Sequence, residues 1–495
     1  MGCTTILVGK NATYDGSTFM ARDDDSGSDD FNIKKFEVVM PEDQPRHYKS
    51  VLSAFEMDLP DNPMPYTETP DAVQKAGGIW GQGGINAANV AMTATETITT
   101  NPSVQGADPL AMDGIGEEDM PTLVLPYIHS AREGVERLGA ILEKYGTYEF
   151  NAIGFQDVND IWWLETIGGH HWIAKRVPDD CYVVMPNQMG IDSFDFVDAF
   201  GEQKDHMCSS DMIEFVEKYH LDRTMDEDRD YDDLRKCTDF DSRAAFGSHD
   251  DSDHTYNTPR AWFIERYLNP NTFIWDGPDA DFTPMSDDLP WCLQPEHKIN
   301  IEEIKYTMSG YYQNTPYDPY GGYGPDEWRG KFRPIGINRN SVLSLTQIRP
   351  YMPEEIQCLQ WVALGSCAFN AFVPFYTNVE TTPEYFQNTT AKVSTDNFYW
   401  SNRLIAAMAD AHFQLCANYV EQYQNVIAYK AHALIHSTDE AYAQEKPDGE
   451  KLHRFLEKAN QEMSDYTQEQ TDKLMDQVLF TASMNMKNKY ARSDA

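Results

Sequence analysis

The chain has 495 residues, with 80 acidic against 39 basic side chains and a formal net charge of −41. That balance excludes nucleic acid and anionic membrane as partners, because a phosphate-rich surface is bound through clustered cations. Apolar and aromatic residues, 41% and 12% of the chain, suffice for a large core, and no run approaches the roughly 18 apolar residues of a membrane-crossing helix.

The start, Met1-Gly2-Cys3-Thr4-Thr5-Ile6, lacks the basic region and apolar stretch of a secretory signal. Ile6 also stands where a myristoylation pattern requires Ser or Thr. Cys3 opens a strand-like run to Gly9. A turn at Asp15-Gly16 leads to a second run through Ala21-Arg22, so the two read as a hairpin.

If Met1-Gly2 is removed, Cys3 carries a thiol and a free α-amine on one residue, titrating near ~8.5 and ~7.7–8.0. The amine can then serve the thiol as its base, as in the threonine-plus-amine nucleophiles. The plainer role for such a cysteine is a small buried apolar residue. The hairpin returns Arg22 and Asp25 towards the chain start. A guanidinium there lowers the thiol pKa, and Asp25 can accept from the terminal nitrogen. The other carboxylates from Asp23 to Asp30 read as a solvated loop, without the oxygen spacing of a calcium site.

Further along, Gly84-Ile85 and Val90 to Glu96 read as strands about a turn at Asn86 to Asn89. Ile128, Ala131, Val135, Leu138, Leu142 and Tyr145 recur at helical spacing, closed by Gly146. Strands resume at 161–167, 172–176 and 181–185. The last of these leads to Asn187, whose amide is suited to an oxyanion hole. An acidic stretch at about 205–253 reads as an exposed insertion. After it, Arg260 sits among aromatics in Tyr256-Asn257-Thr258-Pro259-Arg260-Ala261-Trp262, placed to bind a carboxylate or orient the cysteine. Residues 269–334 read as Pro- and Gly-rich surface loops with short strands, and 354–376 as a buried run. The last hundred residues are helical, with stripes at Leu404, Met408, Ala411 and Leu415, and at Leu452, Leu456, Ala459 and Met463.

The eight cysteines are scattered, with no Cys-x-x-Cys, which points to a reducing cytoplasm rather than a disulfide framework or zinc ribbon. His170-His171 invites a metal reading, but neighbours on a strand point to opposite faces. The glycine patterns between Gly77 and Gly84 lack a phosphate-binding lysine, and no Gly-x-Ser-x-Gly elbow occurs.

Several segments in their order resemble the cysteine dipeptidases of the N-terminal-nucleophile hydrolase superfamily. They are Cys3-Thr4-Thr5 with Asp15-Gly16-Ser17-Thr18, Ala21-Arg22-x-x-Asp25-Ser26, Gly84-Ile85-Asn86 through Thr95-Glu96, Trp163-Leu164-Glu165-Thr166 with Gly168-Gly169-His170-His171-Trp172, and Arg176-Val177-Pro178-Asp179-Asp180. The likeness implies an α+β fold, a four-layer αββα sandwich. Residues 1–400 would form the catalytic domain, with the insertion at about 205–253, and 401–495 a helical C-terminal part of the same unit. It implies hydrolysis of a broad range of dipeptides without metal or cofactor, in a cytoplasmic homo-oligomer. Cys3 would be the nucleophile, Arg22 and Asp25 its partners, Asn187 an oxyanion donor and Arg260 a further active-site arginine. More distant members carry an asparagine where this chain has Thr95-Glu96, so a second oxyanion donor is unassigned, with a backbone N–H nearby as a substitute. Self-cleavage or another peptidase would remove Gly2. The alternatives are a related amidase or acylase acting on bile salts, penicillins or cell-wall peptides, and a non-enzymatic binding protein on the same scaffold.

Overall fold

A computed structural model of the chain describes residues 2–27, 30–74, 77–224, 233–322 and 324–488. Met1 of the expected leader and residues 225–232 of the expected insertion lie outside the described residues.

The hairpin forms as expected. Strands Cys3–Val8 and Thr18–Asp25 pair antiparallel, with Cys3 opposite Asp24 and Thr5 opposite Arg22. Gly16 takes φ 84° in the connecting turn, a left-handed conformation that a residue without Cβ adopts at no steric cost. The pair sits within a seven-stranded antiparallel sheet. Its order is Cys292–Leu293, Tyr182–Met185, Cys3–Val8, Thr18–Asp25, Asn340–Ile348, Cys358–Leu364, Val373–Tyr376. A second antiparallel sheet of six strands runs His206–Cys208, His171–Arg176, Ile161–Ile167, Asn151–Gln156, Ala91–Thr97, Gly83–Ile85.

Alternation of side chains along each strand decides what packs where. Leu7, Met20 and Val183 of the first sheet share a core with Ala91, Ala152, Trp163 and Ile173 of the second. Ile6, Val8, Phe19 and Ala21 point the other way, into a core with helices Thr258–Leu268 and Ile301–Met308 and with Tyr423, Ile427, Leu456 and Met463 of the long C-terminal helices. Those helices are Phe413–Glu445 and Gly449–Met484, and the second buries the expected stripe of Leu452, Leu456, Ala459 and Met463. The other expected stripe is broken where helix Phe398–Asp410 ends. Leu404 and Met408 are half-buried and Ala411 and Leu415 exposed, while Ile405, Ala409 and Cys416 face the core. Beyond the second sheet, Trp162, Leu164, Ile153 and Phe155 pack under helix Ala131–Tyr145. That helix begins where the Ser130 hydroxyl accepts from Glu133 N and ends at Gly146, at φ 72°. The layers are helix, sheet, sheet, helix: the expected αββα sandwich.

Other segments also depart from expectation. Asp23 and Asp24, expected in a solvated loop, are buried within strand Thr18–Asp25. Within the acidic stretch, His206–Cys208 is an edge strand of the second sheet, and helix Met212–Tyr219 buries Met212, Ile213, Phe215 and Val216. Those positions fall on one helical face, so this part is core despite its acidic neighbours. The Pro- and Gly-rich belt contains helix Ile301–Met308, started by a capping box between Asn300 and Glu303. Among the described residues no helix is long and apolar enough to cross a membrane.

Candidate active site

Cys3 is 1% exposed, at the start of a central strand on the face turned towards the second sheet. Arg22 and Asp24, two apart on the paired strand, share that face. Arg22 Nη2 donates to Cys3 Sγ at 2.9 Å, and Sγ lies 3.5 Å from Asp24 Oδ1. The guanidinium also donates to Thr95 O at 2.6 Å and to Glu117 Oε1 at 2.9 Å, with Asp24 and Glu96 at 3.6 and 3.9 Å. One cation therefore sits among three carboxylates, against the sulfur.

Burial pushes the Cys3 thiol well above its ordinary pKa. Arg22 pulls it down, while Glu96, Asp24 and Glu117 push it up. Burial likewise lifts Glu96 to about 8 against the pull of Arg22, and raises Glu117. Arg22 itself stays charged: burial opposes this, but Cys3 and the three carboxylates outweigh it.

The nitrogen of Cys3 has its own partner. Strand Tyr182–Met185 pairs with the first strand, Met185 opposite Thr5, and the chain then turns at Pro186 to bring Asn187 over Cys3. Cys3 N donates to Asn187 Oδ1 at 3.0 Å. Asn187 Nδ2 donates to Glu96 Oε2 at 3.2 Å, and Glu96 Oε1 accepts from Thr5 Oγ1 at 2.6 Å. From the opposite side comes Arg260, 0% exposed, on helix Thr258–Leu268. Its Nη1 donates to Cys3 O and, at 2.8 Å, to Thr4 Oγ1; its Nη2 reaches Asn187 Oδ1 at 2.8 Å and Asn257 Oδ1 at 2.6 Å. The guanidinium thus clamps both the Cys3 backbone and the Asn187 amide above it.

Cys3, Arg22, Asn187 and Arg260 come together in this way. Asp25 does not touch Cys3. It lies with Asp23 on the helix-facing side of the strand, where Asn340 Nδ2 donates to both at 2.7–3.0 Å and Arg333 ion-pairs with it. Asp24 is the carboxylate that reaches the sulfur. Period-two alternation from Arg22 is the signal that selects it. Glu117 and Arg333 come from distant loops, and no local pattern marks them.

In this chain the Cys3 nitrogen is still joined to Gly2, whose carbonyl oxygen accepts from Arg333 Nη2 at 3.5 Å. Gly2 borders a cavity of 370 Å³, with Thr97, Asn187, Tyr256, Asn257 and Arg339 among its walls. Loss of Gly2 would leave that cavity beside the Cys3 nitrogen. A second cavity of 460 Å³, between helices Ile301–Met308 and Phe413–Glu445, is not lined by any of these site residues.

His170 and His171 serve a structural purpose. Their Nδ1 atoms bond the two oxygens of Asp108 at 3.0 and 2.7 Å, pinning the turn before strand His171–Arg176. Among the described residues no group of three His, Cys, Asp or Glu side chains could hold a metal ion.

Residues 2–426 match the model of peptidase family C69. A dipeptidase of Bifidobacterium longum is 51% identical over all of both chains. A probable dipeptidase A of Streptococcus pyogenes is 54% identical, again over all of both chains, and dipeptidase A of Lactobacillus helveticus is 44% identical over 96% of each. Among solved structures, a mutant conjugated bile acid hydrolase of Clostridium perfringens overlaps 33% of this chain and 48% of its own at 10% identity and a TM-score of 0.20. That overlap bears on neither fold nor activity.

Proposed function

This chain belongs to peptidase family C69, and from that premise we propose that it is a dipeptidase whose nucleophile is Cys3, freed of the residues before it. The observation that carries this reading is the separation of duties at Cys3. Its sulfur is held by Arg22 Nη2 at 2.9 Å and its nitrogen by Asn187 Oδ1 at 3.0 Å, so thiol and amine each have a fixed place.

In the proposed cycle the free amine takes the thiol proton, and the Arg22 guanidinium steadies the resulting thiolate against burial. Sulfur attacks the carbonyl carbon of the dipeptide. The Nδ2 group of Asn187, exchanging its bond to Glu96, steadies the oxyanion. Collapse breaks the C–N bond, and the proton held by the Cys3 nitrogen passes to the departing amine, leaving an acyl thioester. Water then loses a proton to the same nitrogen and attacks. The thiol leaves with that proton, and the acid is released. Arg260 positions Cys3 and Asn187 and takes no part in proton transfer.

The same reading takes residues 1–400 as the catalytic unit, with the helices of 401–495 belonging to it through their shared core with the first sheet. It also places the protein in a reducing cytoplasm, consistent with eight free cysteines, as a homo-oligomer. The deciding assay sets dipeptides against N-acyl amino acids and conjugated bile salts. Faster turnover of dipeptides is expected, and the reverse order would replace this reading with an acylase.

A further inference from the structure

The cavity beside Gly2 runs against the charge of the molecule. The chain carries 80 acidic against 39 basic side chains, yet among the described residues no carboxylate lines this cavity, whereas Arg339 does. Arg339 Nη2 donates to the Tyr256 hydroxyl at 2.7 Å, which fixes the direction of its guanidinium. The Tyr256 ring carries two further guanidinium groups, those of Arg260 and Arg333, at 5.1 and 5.2 Å from its centroid.

Arg333 is the more strained of these charges. Its side chain is 6% exposed, and Asp25 takes one edge of it through Nη2. Its Nε and Nη1 have no hydrogen-bond partner among the described residues, a costly state for buried donors. Burial draws Arg333 down to about 10; Asp23 resists, and the neighbouring Arg339 draws it down further. An anion entering beside Arg339 and Arg333 would relieve that repulsion.

The position is also right for the substrate. Tyr256 stands against Gly2, where an added β-carbon would collide with its hydroxyl. Once Gly2 is gone, Tyr256 and Arg339 border the space next to the nucleophile. In a dipeptide, the free carboxylate lies two bonds beyond the scissile nitrogen, and a guanidinium fork grips a carboxylate bidentately in a way a carboxamide cannot match.

We infer that Arg339, oriented by Tyr256 and backed by Arg333, is the subsite for the free α-carboxylate of the leaving residue, so that the enzyme selects peptides ending one residue beyond the bond it cuts. The inference rests on the dipeptidase reading above.

The test compares a dipeptide with its C-terminal amide, on wild type and on Arg339→Gln, with thermal unfolding to confirm that the variant is folded. Wild type should favour the free acid by roughly tenfold to a hundredfold in kcat/KM. In Arg339→Gln that ratio should fall towards one, chiefly through a raised KM for the acid, and Arg339→Lys should restore part of it. Equal turnover of acid and amide by wild type, or an undiminished ratio in Arg339→Gln, would overturn the subsite. Should Arg339→Gln not fold, product inhibition of wild type decides. A free amino acid inhibiting more strongly than its amide supports the subsite, and equal inhibition removes it. If wild type hydrolyses neither form, the dipeptidase reading falls and the subsite falls with it.

Discussion

Arg22 Nη2 stands 2.9 Å from Cys3 Sγ, and the register that puts Arg22 opposite Thr5 and Asp24 opposite Cys3 turns all three side chains to the face shared by the two sheets. The guanidinium pulls the thiol pKa down where burial and three carboxylates push it up. Arg22→Lys keeps a charge but loses the fork. It should lower kcat/KM roughly tenfold to a hundredfold and move the midpoint of iodoacetamide alkylation of Cys3 to higher pH.

Asp24 and Asp25 should behave differently although they are neighbours. Asp24 raises the thiol pKa, so Asp24→Asn should shift Cys3 alkylation to lower pH. Asp25 neutralises the buried Arg333. Asp25→Asn should therefore destabilise the fold by about 3 kcal/mol, the scale for breaking one side of a buried ion pair, as read by denaturant unfolding. A large effect of Asp25→Asn on the alkylation midpoint would count against this division.

Asn187 accepts from the Cys3 nitrogen at 3.0 Å, and in the proposed cycle its amide steadies the oxyanion. Asn187→Ala should reduce kcat by a factor on the order of 10²–10³, equivalent to about 3 kcal/mol of barrier. Pre-steady-state acylation kinetics should assign that loss to the chemical step.

Glu96 gives the site a pH signature. Its carboxyl is raised to about 8 by burial, against the pull of Arg22, from an ordinary value near ~4.3 in an unfolded chain. Because the folded value is the higher, its contribution to stability is fully present below about pH 4 and is lost as pH rises through about 8. Glu68, also raised to about 8, adds to the same trend. The readout is therefore the difference between wild type and Glu96→Gln: Tm should fall less with rising pH in the variant.

Much of this arrangement is legible in the sequence because it is local. Asp15-Gly16 announces the hairpin, and Gly146 ends a helix whose apolar residues recur at helical spacing. Cys3, Arg22, Asn187 and Arg260 are each marked by the end of a strand or by aromatic neighbours. The run Asp23-Asp24-Asp25 offers no chemical ground for choosing among three identical side chains, and only strand parity does so. Thr95-Glu96 reads as a departure from a pattern, yet Glu96 bonds both Thr5 and Asn187. Glu117, Arg333 and Arg339 enter the site from far along the chain, and tertiary packing alone brings them there. The helix Met212–Tyr219 is hidden in the sequence because acidic residues among its apolar positions outweigh them in composition though not in burial.

The most direct measurement is N-terminal sequencing of active protein, with a dipeptide assay on the same sample and on Cys3→Ser. The first residue should be Cys3, and the serine variant should lose turnover. Full activity in protein that still begins ahead of Cys3, or wild-type rates from Cys3→Ser, would contradict a nucleophile that carries its own base.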